Sequence, residues 1–203
     1  MTHKPPYQRI RILKSSGNVK NVLRPEDWIR EAMAVLVNKS VDGVSVDTLA
    51  KNLGLTRGSF YHHFLDRDDL LKRVLSTWRQ IQTDQVINRY EQSNLSPLGR
   101  IHELIDLPFR GESARMGGSV ELAIRAWARR DALARSVVDE VDVVRMNYIR
   151  HCFELLGYKK ESQRHVAFLL YGYMQAESIF GLPGDETERE ARRKYVIDVL
   201  FKK

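Results

Sequence analysis

The chain of 203 residues lacks several features that would place it in other classes of protein. Its one cysteine, Cys152, excludes a disulfide within the chain and favours a reducing compartment. No apolar run approaches the roughly 20 residues of a membrane-spanning helix, and the N-terminus has no apolar segment typical of a secretory signal. The sequence therefore predicts a globular cytoplasmic protein that does not associate with membranes.

Catalytic signatures are also missing. The stretch "GESARMGGS" superficially resembles a phosphate-binding loop, but it lacks the lysine and follows a predicted helix rather than a strand. His151 and Cys152 are adjacent and would point about 100° apart on a helix, which makes them a poor metal pair. We interpret Cys152 as a buried structural residue, with a redox role as the alternative. The sequence predicts no enzymatic activity, no cofactor and no metal.

No alternating β-branched segments indicate a sheet, and the apolar residues recur instead with the helical period. The fold class predicted is all-α with about nine helices: three short ones, a long fourth one from about Arg67 to Tyr90, and later long ones. The later segments are predicted at residues 96–109, 116–130, 133–156, 161–180 and 186–201. "RGESARMGG", "RDA", "GYKK" and "LPGDE" are interpreted as the connections between them.

The net charge of +7 is concentrated in residues 1–24, which carry six basic residues and no acidic one. We interpret this segment as a basic arm that contacts DNA, and a solvated tail is the alternative. Its candidate contact residues are Lys4, Arg9, Arg11 and Lys14. The predicted domains are the arm at residues 1–24, a DNA-binding domain at 25–75 and a larger helical domain at 76–203.

The stretch "VDTLAKNLGLTRGSFYHH" has the pattern of a helix-turn-helix, in which one helix holds the next toward the major groove of DNA. Ser45 and Thr56 are predicted to cap the two helices, and Gly54 to turn the chain between them. Phe60 and Phe64 lie one helical turn apart and are predicted to face the core.

The second of these helices offers many hydrogen-bonding groups for its length. Arg57 can donate two hydrogen bonds to guanine or to a phosphate, and Tyr61 can bond a phosphate. Gly58 costs about 1 kcal/mol in helix propensity, which is tolerable if it allows the backbone to approach DNA. The pattern predicts a helix that reads DNA, with an ordinary helical hairpin and a solvated polar face as the alternative.

The segment "VDTLAKNLGLTRGSFYHHFLDRDDLL" resembles the DNA-binding signature of the tetracycline-repressor (TetR) family of transcriptional regulators. It matches that pattern in order, from the Ser/Thr cap through the basic residue, glycine, small polar residue, apolar residue and tyrosine to the phenylalanine. Arg67 stands where a lysine is usual. The resemblance covers about residues 26–75, and "VELAIRAWARRD" is similar, more loosely, to the regulatory domain of one branch of the family.

The resemblance implies DNA-binding roles at specific positions. The positions that can face base edges are Arg57, Gly58, Ser59 and His62. The positions that usually bind phosphates are Thr56, Tyr61, His63 and Arg67. The start of the second helix, which also touches the DNA backbone, corresponds to Ser45 and Thr48.

The resemblance also implies a homodimer built from the last two helices, and a pocket for a small organic effector among helices four to eight. The candidates for the dimer seam are Phe168, Tyr171, Gln175, Tyr195, Val196 and Val199. The candidates for the pocket are Trp78, His102, Phe109, Trp127, Tyr148, His151, Cys152 and Met174. For both sets the alternative is packing in the core of one chain.

The function predicted is a repressor that binds a palindromic operator as a homodimer. A small molecule would release it by moving the fourth helix. The alternative is a nucleoid-type DNA-binding protein on the same fold without an effector, and activation rather than repression stays open.

Overall fold

The structure is a computed structural model that describes residues 24–180 and 185–201. Those ranges are helical and contain no strand. The helices are α1 (Pro25–Lys39), α2 (Val46–Leu53), α3 (Arg57–Tyr61), α4 (Arg67–Arg79), α5 (Gln85–Glu91), α6 (Pro97–Asp106), α7 (Gly111–Ala128), α8 (Ala132–Leu155), α9 (Lys160–Ile179) and α10 (Glu186–Phe201). A search of the described residues finds no helix long and apolar enough to cross a membrane.

The long fourth helix of the sequence prediction changes its hydrogen-bonding pattern near its middle but stays continuous. A π-helical turn, Gln80–Asp84, joins α4 to α5. Counted as one, these two helices bring the total in the described ranges to nine. The all-α prediction is confirmed, including its long fourth helix.

The chain divides into two compact units between Val74 and Leu75. Their predicted roles in DNA binding and ligand binding stay predictions at this point. The proposed arm contacts Lys4, Arg9, Arg11 and Lys14 lie outside the described residues.

In the first unit, the start of α1, its buried face and the turn after α2 lie where the sequence predicts them. Helix α1 begins at Pro25, where the missing N–H is harmless, and the Arg24 N–H donates to the Asp27 carboxylate at 2.9 Å. Trp28 and Leu36 lie on its buried face, as the periodicity predicts. The Gly54 backbone has a φ of 69° after α2, the left-handed conformation that favours glycine.

The second unit contains the helices from α5 onward and a core shared by five of them. The buried members of that core are Tyr90, Ile101, Leu104, Ile105, Tyr148, Ile149, Cys152, Phe153, Ala167, Leu170 and Leu200. Helices α7 and α9 approach so closely that a Cβ atom on Gly118 would lie 2.2 Å from the Ser178 carbonyl oxygen. Glycine is therefore required at this position for the two backbones to meet.

One predicted connection is wrong. The stretch "RGESARMGG" was expected to separate two helices, but α7 begins at Gly111 and continues through Gly117 and Gly118. Glycines usually weaken a helix. Here the close packing of α7 against α9 compensates for that cost, which local sequence does not reveal.

Candidate functional site

Helix α3 is anchored by the two phenylalanines that were expected to face inward. Phe60 and Phe64 are buried, and their rings stack at 5.1 Å between centroids. The ring of Trp28 on α1 meets Phe60 edge-on at 5.4 Å. These contacts fix which face of the short helix points away from the core.

The opposite face of α3 is polar and open to solvent. Thr56, Arg57, Gly58 and His62 are exposed, and Tyr61 keeps 53% of its surface. Ser59 and His63 are half-buried. A Cβ atom on Gly58 would meet only the Thr56 hydroxyl, at 3.7 Å. Packing within the chain therefore does not require glycine at position 58.

Two predicted contact residues at the start of α2 bond to each other. The Ser45 hydroxyl donates to the Thr48 hydroxyl at 2.8 Å, and the Thr48 N–H donates to the Ser45 hydroxyl oxygen at 3.2 Å. Thr56 caps α3 in the same way, accepting from the Ser59 N–H at 3.4 Å. The capping predictions are confirmed, and the DNA contacts of these residues stay predictions.

Arg67 has a structural role that the sequence did not indicate. Its Nε donates to the Val44 carbonyl at 2.6 Å and one terminal nitrogen donates to the Val41 carbonyl at 2.7 Å. Arg67 thereby holds the segment that leads into Ser45, the cap of α2. The third nitrogen of Arg67 lies 3.9 Å from the Asp68 carboxylate. The phosphate contact predicted for Arg67 would use the N–H groups that the two carbonyls leave over, and it stays a prediction.

Another unforeseen contact concerns Arg57. Its Nε lies 3.3 Å from the Asp47 carboxylate on α2, and both side chains are largely exposed. Exposed pairs of this kind contribute little to stability. The contact orients the guanidinium without enclosing it.

The second unit contains a cavity of about 260 Å³. Its apolar wall includes Val86, Ile87, Leu104, Ile149 and Met174. The ring of Tyr148 also lines it, and the buried Tyr148 hydroxyl has no hydrogen-bond partner among the described residues. Residues of the π-helical turn, Ile81, Gln82 and Thr83, also line it. The other end of the cavity is polar and is formed by Glu121 on α7, Arg145 on α8, and Tyr171 and Gln175 on α9.

The polar end is a closed network of ion pairs and hydrogen bonds. Arg145 donates to the Glu121 carboxylate at 2.9 Å and to the Thr83 hydroxyl at 2.9 Å. Arg125, which lies behind the wall, donates to Asp142 at 2.5 and 3.0 Å and to Glu121 at 2.9 Å. Two guanidinium groups therefore balance two carboxylates.

The electrostatics of the network keep all four groups charged. Burial acts to raise the pKa of Glu121, but Arg145 and Arg125 outweigh burial and hold that pKa below its usual value. Asp142 behaves alike, because Arg125 and the Tyr171 hydroxyl lower its pKa against the effect of burial. Burial raises the pKa of Tyr171 to about 12, so its hydroxyl stays neutral and donates to Asp142 at 2.6 Å.

Only two of the predicted pocket residues, Tyr148 and Met174, line this cavity. Trp78, Trp127 and Cys152 are buried but not in its wall, and Phe109 is half-buried beneath Arg189 and Arg193. His102 and His151 are exposed: His102 stacks on Phe201 and His151 lies 3.3 Å from Glu154. The two histidines therefore do not line this cavity, because their positions on α6 and α8 face solvent.

The predicted dimer residues fall into two groups, those that face the interior of their own chain and those that face solvent. Tyr171 and Gln175 belong to the cavity network of their own chain and not to its outer surface, which does not support their predicted place in a seam between chains. Phe168 and Tyr195 remain 67% and 71% exposed, and Val199 is exposed as well. Val196 packs partly against the core of its own chain.

Sequence reasoning missed the ionised residues of the cavity. The available signal was the position of charged residues on otherwise apolar helices, with Glu121 and Arg125 four apart and Asp142 and Arg145 three apart. Such spacing brings side chains together on one helix face. It does not say that the two faces meet, which required the packing of α7 against α8.

The geometry defines a class of protein: a helix-turn-helix DNA-binding unit and a separate helical unit with an internal cavity. Residues 29–74 match the family described as "Bacterial regulatory proteins, tetR family". The match assigns the helix-turn-helix unit to this type of DNA-binding domain and does not extend into the second unit.

Relatives agree with this assignment. The chain is 29% identical over 79 residues to the uncharacterized HTH-type transcriptional regulator YwcC of Bacillus subtilis (strain 168). This match covers 39% of the chain and 35% of YwcC, so the matched part spans about a third of that relative.

Two solved structures share the fold over nearly the whole length. A protein from Saccharomonospora viridis, solved in complex with choline, has a TM-score of 0.70 and 16% identity, covering 87% of this chain and 94% of its own. AibR, solved with isovaleryl coenzyme A and operator DNA, has a TM-score of 0.64 and 19% identity, covering 88% of this chain and 98% of its own. At these identities the similarity establishes the fold.

Proposed function

We propose that the chain is a repressor that binds operator DNA through α3 and is released by a small molecule bound in the cavity. The observation that carries the proposal is the division of α3 into two faces. Phe60 and Phe64 anchor one, while Arg57, Gly58 and Tyr61 are exposed on the other without being needed by the core. A helix so arranged can enter the major groove, with its polar groups facing bases and phosphates.

The DNA-contacting set of this proposal is that implied by the family resemblance. Its members are Ser45, Thr48, Thr56, Arg57, Gly58, Ser59, Tyr61, His62, His63 and Arg67, with the basic arm as an addition. An arm with six basic residues can follow phosphates or enter the minor groove. Deleting residues 1–22 should weaken binding and flatten its salt dependence, and an unchanged affinity and slope would remove the arm from the proposal.

Exposed apolar side chains on the last two helices support a homodimer. Phe168 and Leu169 on α9 lie on the outside of the second unit, as do Tyr195 and Val199 on α10. Burial of these side chains between two copies would give a four-helix seam and a two-fold axis. The operator would then be roughly palindromic, with half-sites about 34–36 Å apart.

The cavity supports control by a small molecule. The π-helical turn Gln80–Asp84 contributes to its wall and continues directly into α4. A ligand that fits the cavity better in one arrangement of this turn would shift the population of α4 arrangements, and with it operator affinity. Among the solved relatives, AibR was obtained with both a small molecule and operator DNA.

The test of this function is selection of genomic fragments by the purified full-length chain, followed by footprinting. One or a few palindromic sites near promoters are expected for a repressor. Binding to many fragments without a shared palindrome would favour the nucleoid-type alternative. Expression of the adjacent genes, compared with and without the protein, distinguishes repression from activation.

A further inference from the structure

The charge balance of the cavity limits which ligand it can accept. At its polar end the positive charges of Arg125 and Arg145 are matched by the negative charges of Glu121 and Asp142. A charged ligand group placed beside Glu121 and Arg145, whose side chains are 7% and 15% exposed, would be unmatched, which is unfavourable. This argues for an uncharged ligand.

Most hydrogen-bond donors at this end are already engaged. Every nitrogen of Arg145 donates within the network: Nε to Thr83, one terminal nitrogen to Glu121, and the other to the Gln82 carbonyl at 3.3 Å. The amide nitrogen of Gln175 donates to Glu121 and to the Tyr171 hydroxyl, both at 2.9 Å. A carboxylate ligand would find the second N–H of the Arg145 nitrogen that donates to Gln82, on a guanidinium that already pairs with Glu121, and the Tyr148 hydroxyl in the wall. It would have no unpaired cation at this end to balance its charge.

Acceptors, in contrast, have unused capacity. The side-chain oxygen of Gln175 receives no hydrogen bond from the part of the chain that the structure describes. Oε2 of Glu121 receives one, from Arg145 at 3.1 Å, although a carboxylate oxygen can accept two. Both residues line the cavity. A ligand that donates a hydrogen bond would meet these oxygens.

The rest of the wall and the volume indicate an apolar body of modest size. Val86, Leu104 and Met174 are among its apolar lining residues. An apolar cavity of about 150 Å³ holds benzene, so the 260 Å³ found here accommodates a ring with a substituent or a short branched chain. Of the other cations in the wall, Arg110 is paired with Glu103 and Arg89 is exposed.

We propose that the cavity binds a small, uncharged, largely apolar molecule that carries a hydrogen-bond donor, such as an alcohol, phenol or primary amide. The proposal rests on the function proposed above for the cavity, and it names the chemical class of the effector. Glu121 and Gln175 accept the ligand's hydrogen bond, and the apolar wall contacts its body.

The test is calorimetric titration of the full-length chain with four probes that share one ring: benzyl alcohol, toluene, benzoate and benzylamine. Benzyl alcohol should bind at least about tenfold more tightly than benzoate and benzylammonium, which corresponds to about 1.4 kcal/mol. Toluene should bind more weakly than the alcohol, because it leaves the acceptors without a donor. Equal or tighter binding of a charged probe or of toluene, or no binding of benzyl alcohol at millimolar concentration, would overturn the proposal.

A charge-changing variant tests the same site in a different way. Gln175→Glu places a second carboxyl group beside Glu121, which Gln175 contacts at 2.9 Å, so the two carboxyl groups should share a proton in the empty cavity and give it up when a cation binds. Benzylammonium should therefore gain about tenfold in affinity over the unaltered chain at alkaline pH, while benzoate loses. Gln85→Glu is the matched control, since Gln85 is exposed on α5 and does not line the cavity. The same gain for both variants would mean that overall charge, not this site, selects the ligand.

Operator release is measured separately, by adding benzyl alcohol to the complex with a selected genomic fragment. Binding with the expected preference but without release would leave the ligand class standing and remove the effector role. Release of the operator together with tighter binding of benzoate than of benzyl alcohol would keep the effector role and refute the proposed ligand class.

Discussion

In the unit that ends at Val74, the polar side chains of α3 face solvent, whereas in the unit that begins at Leu75 a similar variety of polar groups is enclosed. Arg57 makes one exposed contact with Asp47, while Arg145 donates from every nitrogen to groups of its own chain. Enclosed charges without partners are costly, and the network of the second unit pairs its guanidinium and carboxylate groups with one another. Exposed groups carry no such demand and remain available to another molecule.

The glycines of the two units show the same contrast between an exposed and an enclosed environment. Gly58 on α3 has open space around its missing side chain, whereas Gly118 on α7 touches the backbone of α9. Packing against α9 accounts for glycine at position 118, whereas the proposed approach of DNA would account for glycine at position 58. Substitutions in the two units should therefore affect different properties, DNA binding in the first and stability in the second.

The largest effect is expected from opening the enclosed network. Glu121→Leu removes the carboxylate that both Arg125 and Arg145 contact and leaves their charges partly unmatched in the interior. We expect the free energy of unfolding to fall by about 3–5 kcal/mol, measured by urea denaturation. A loss below about 1 kcal/mol would show that solvent reaches the network and that the contrast between the units is overstated.

The control is Asp139→Leu, which breaks an exposed pair with Arg135 on α8 and should change stability little. The pH dependence gives a second check. Because the pKa of Glu121 is lower in the folded chain than its usual 4.5, its contribution is complete above that pH and is lost as the pH falls through the folded value. The Glu121→Leu chain should lose this part of its acid sensitivity.

Alanine at the two glycines should act in opposite directions. Gly118→Ala forces α7 away from the Ser178 carbonyl and should destabilise the chain by about 1–3 kcal/mol. Gly58→Ala should stabilise it by roughly 0.5–1 kcal/mol through helix propensity. Thermal unfolding measures both changes, and operator binding should weaken for Gly58→Ala in spite of its higher stability.

Gly117→Ala serves as the control for Gly118→Ala. Its new Cβ would lie 2.8 Å from the amide end of Gln82, a flexible side chain that can move aside. The expected loss of stability is therefore small. If Gly117→Ala and Gly118→Ala cost the same, the effect belongs to the helix and not to the contact with α9.

Substitutions on the exposed face of α3 should change DNA binding with little change in stability. Arg57→Ala should cost about 1–3 kcal/mol of binding and relax the preference at one base position. Tyr61→Phe should weaken binding to all sequences about equally, as expected for a phosphate contact. Binding to a set of single-base operator variants measures both. A uniform loss for Arg57→Ala would make Arg57 a phosphate contact and would refute its base-reading role.

The smallest effect is expected at Arg67, which combines features of both units. Arg67→Lys cannot reach both the Val41 and Val44 carbonyls, so stability should fall by about 1 kcal/mol. Lysine keeps the positive charge, so Arg67→Gln is the informative partner for DNA binding. If Arg67 contacts a phosphate, Arg67→Gln should lower the salt dependence of binding by about one unit of slope. A purely internal tether should leave that slope unchanged.

The sequence predicted the first unit far better than the second. The caps Ser45 and Thr56, the turn at Gly54 and the anchors Phe60 and Phe64 depend on contacts within a few residues, which spacing reveals directly. In the second unit the same periodicity found the helices but not their orientation. His102 and His151 were expected to face a pocket and instead face solvent.

By itself, the sequence determined where most helices begin and end, the helix-turn-helix and the residues of its exposed face. These follow from capping, periodicity and turn chemistry, which act over three or four residues. Only the tertiary structure decided where the cavity lies and how Glu121, Arg145 and Tyr171 meet, because those contacts join residues 24 and 26 positions apart. Contacts at such separations arise from helix packing, as at Gly118, and no local pattern encodes them.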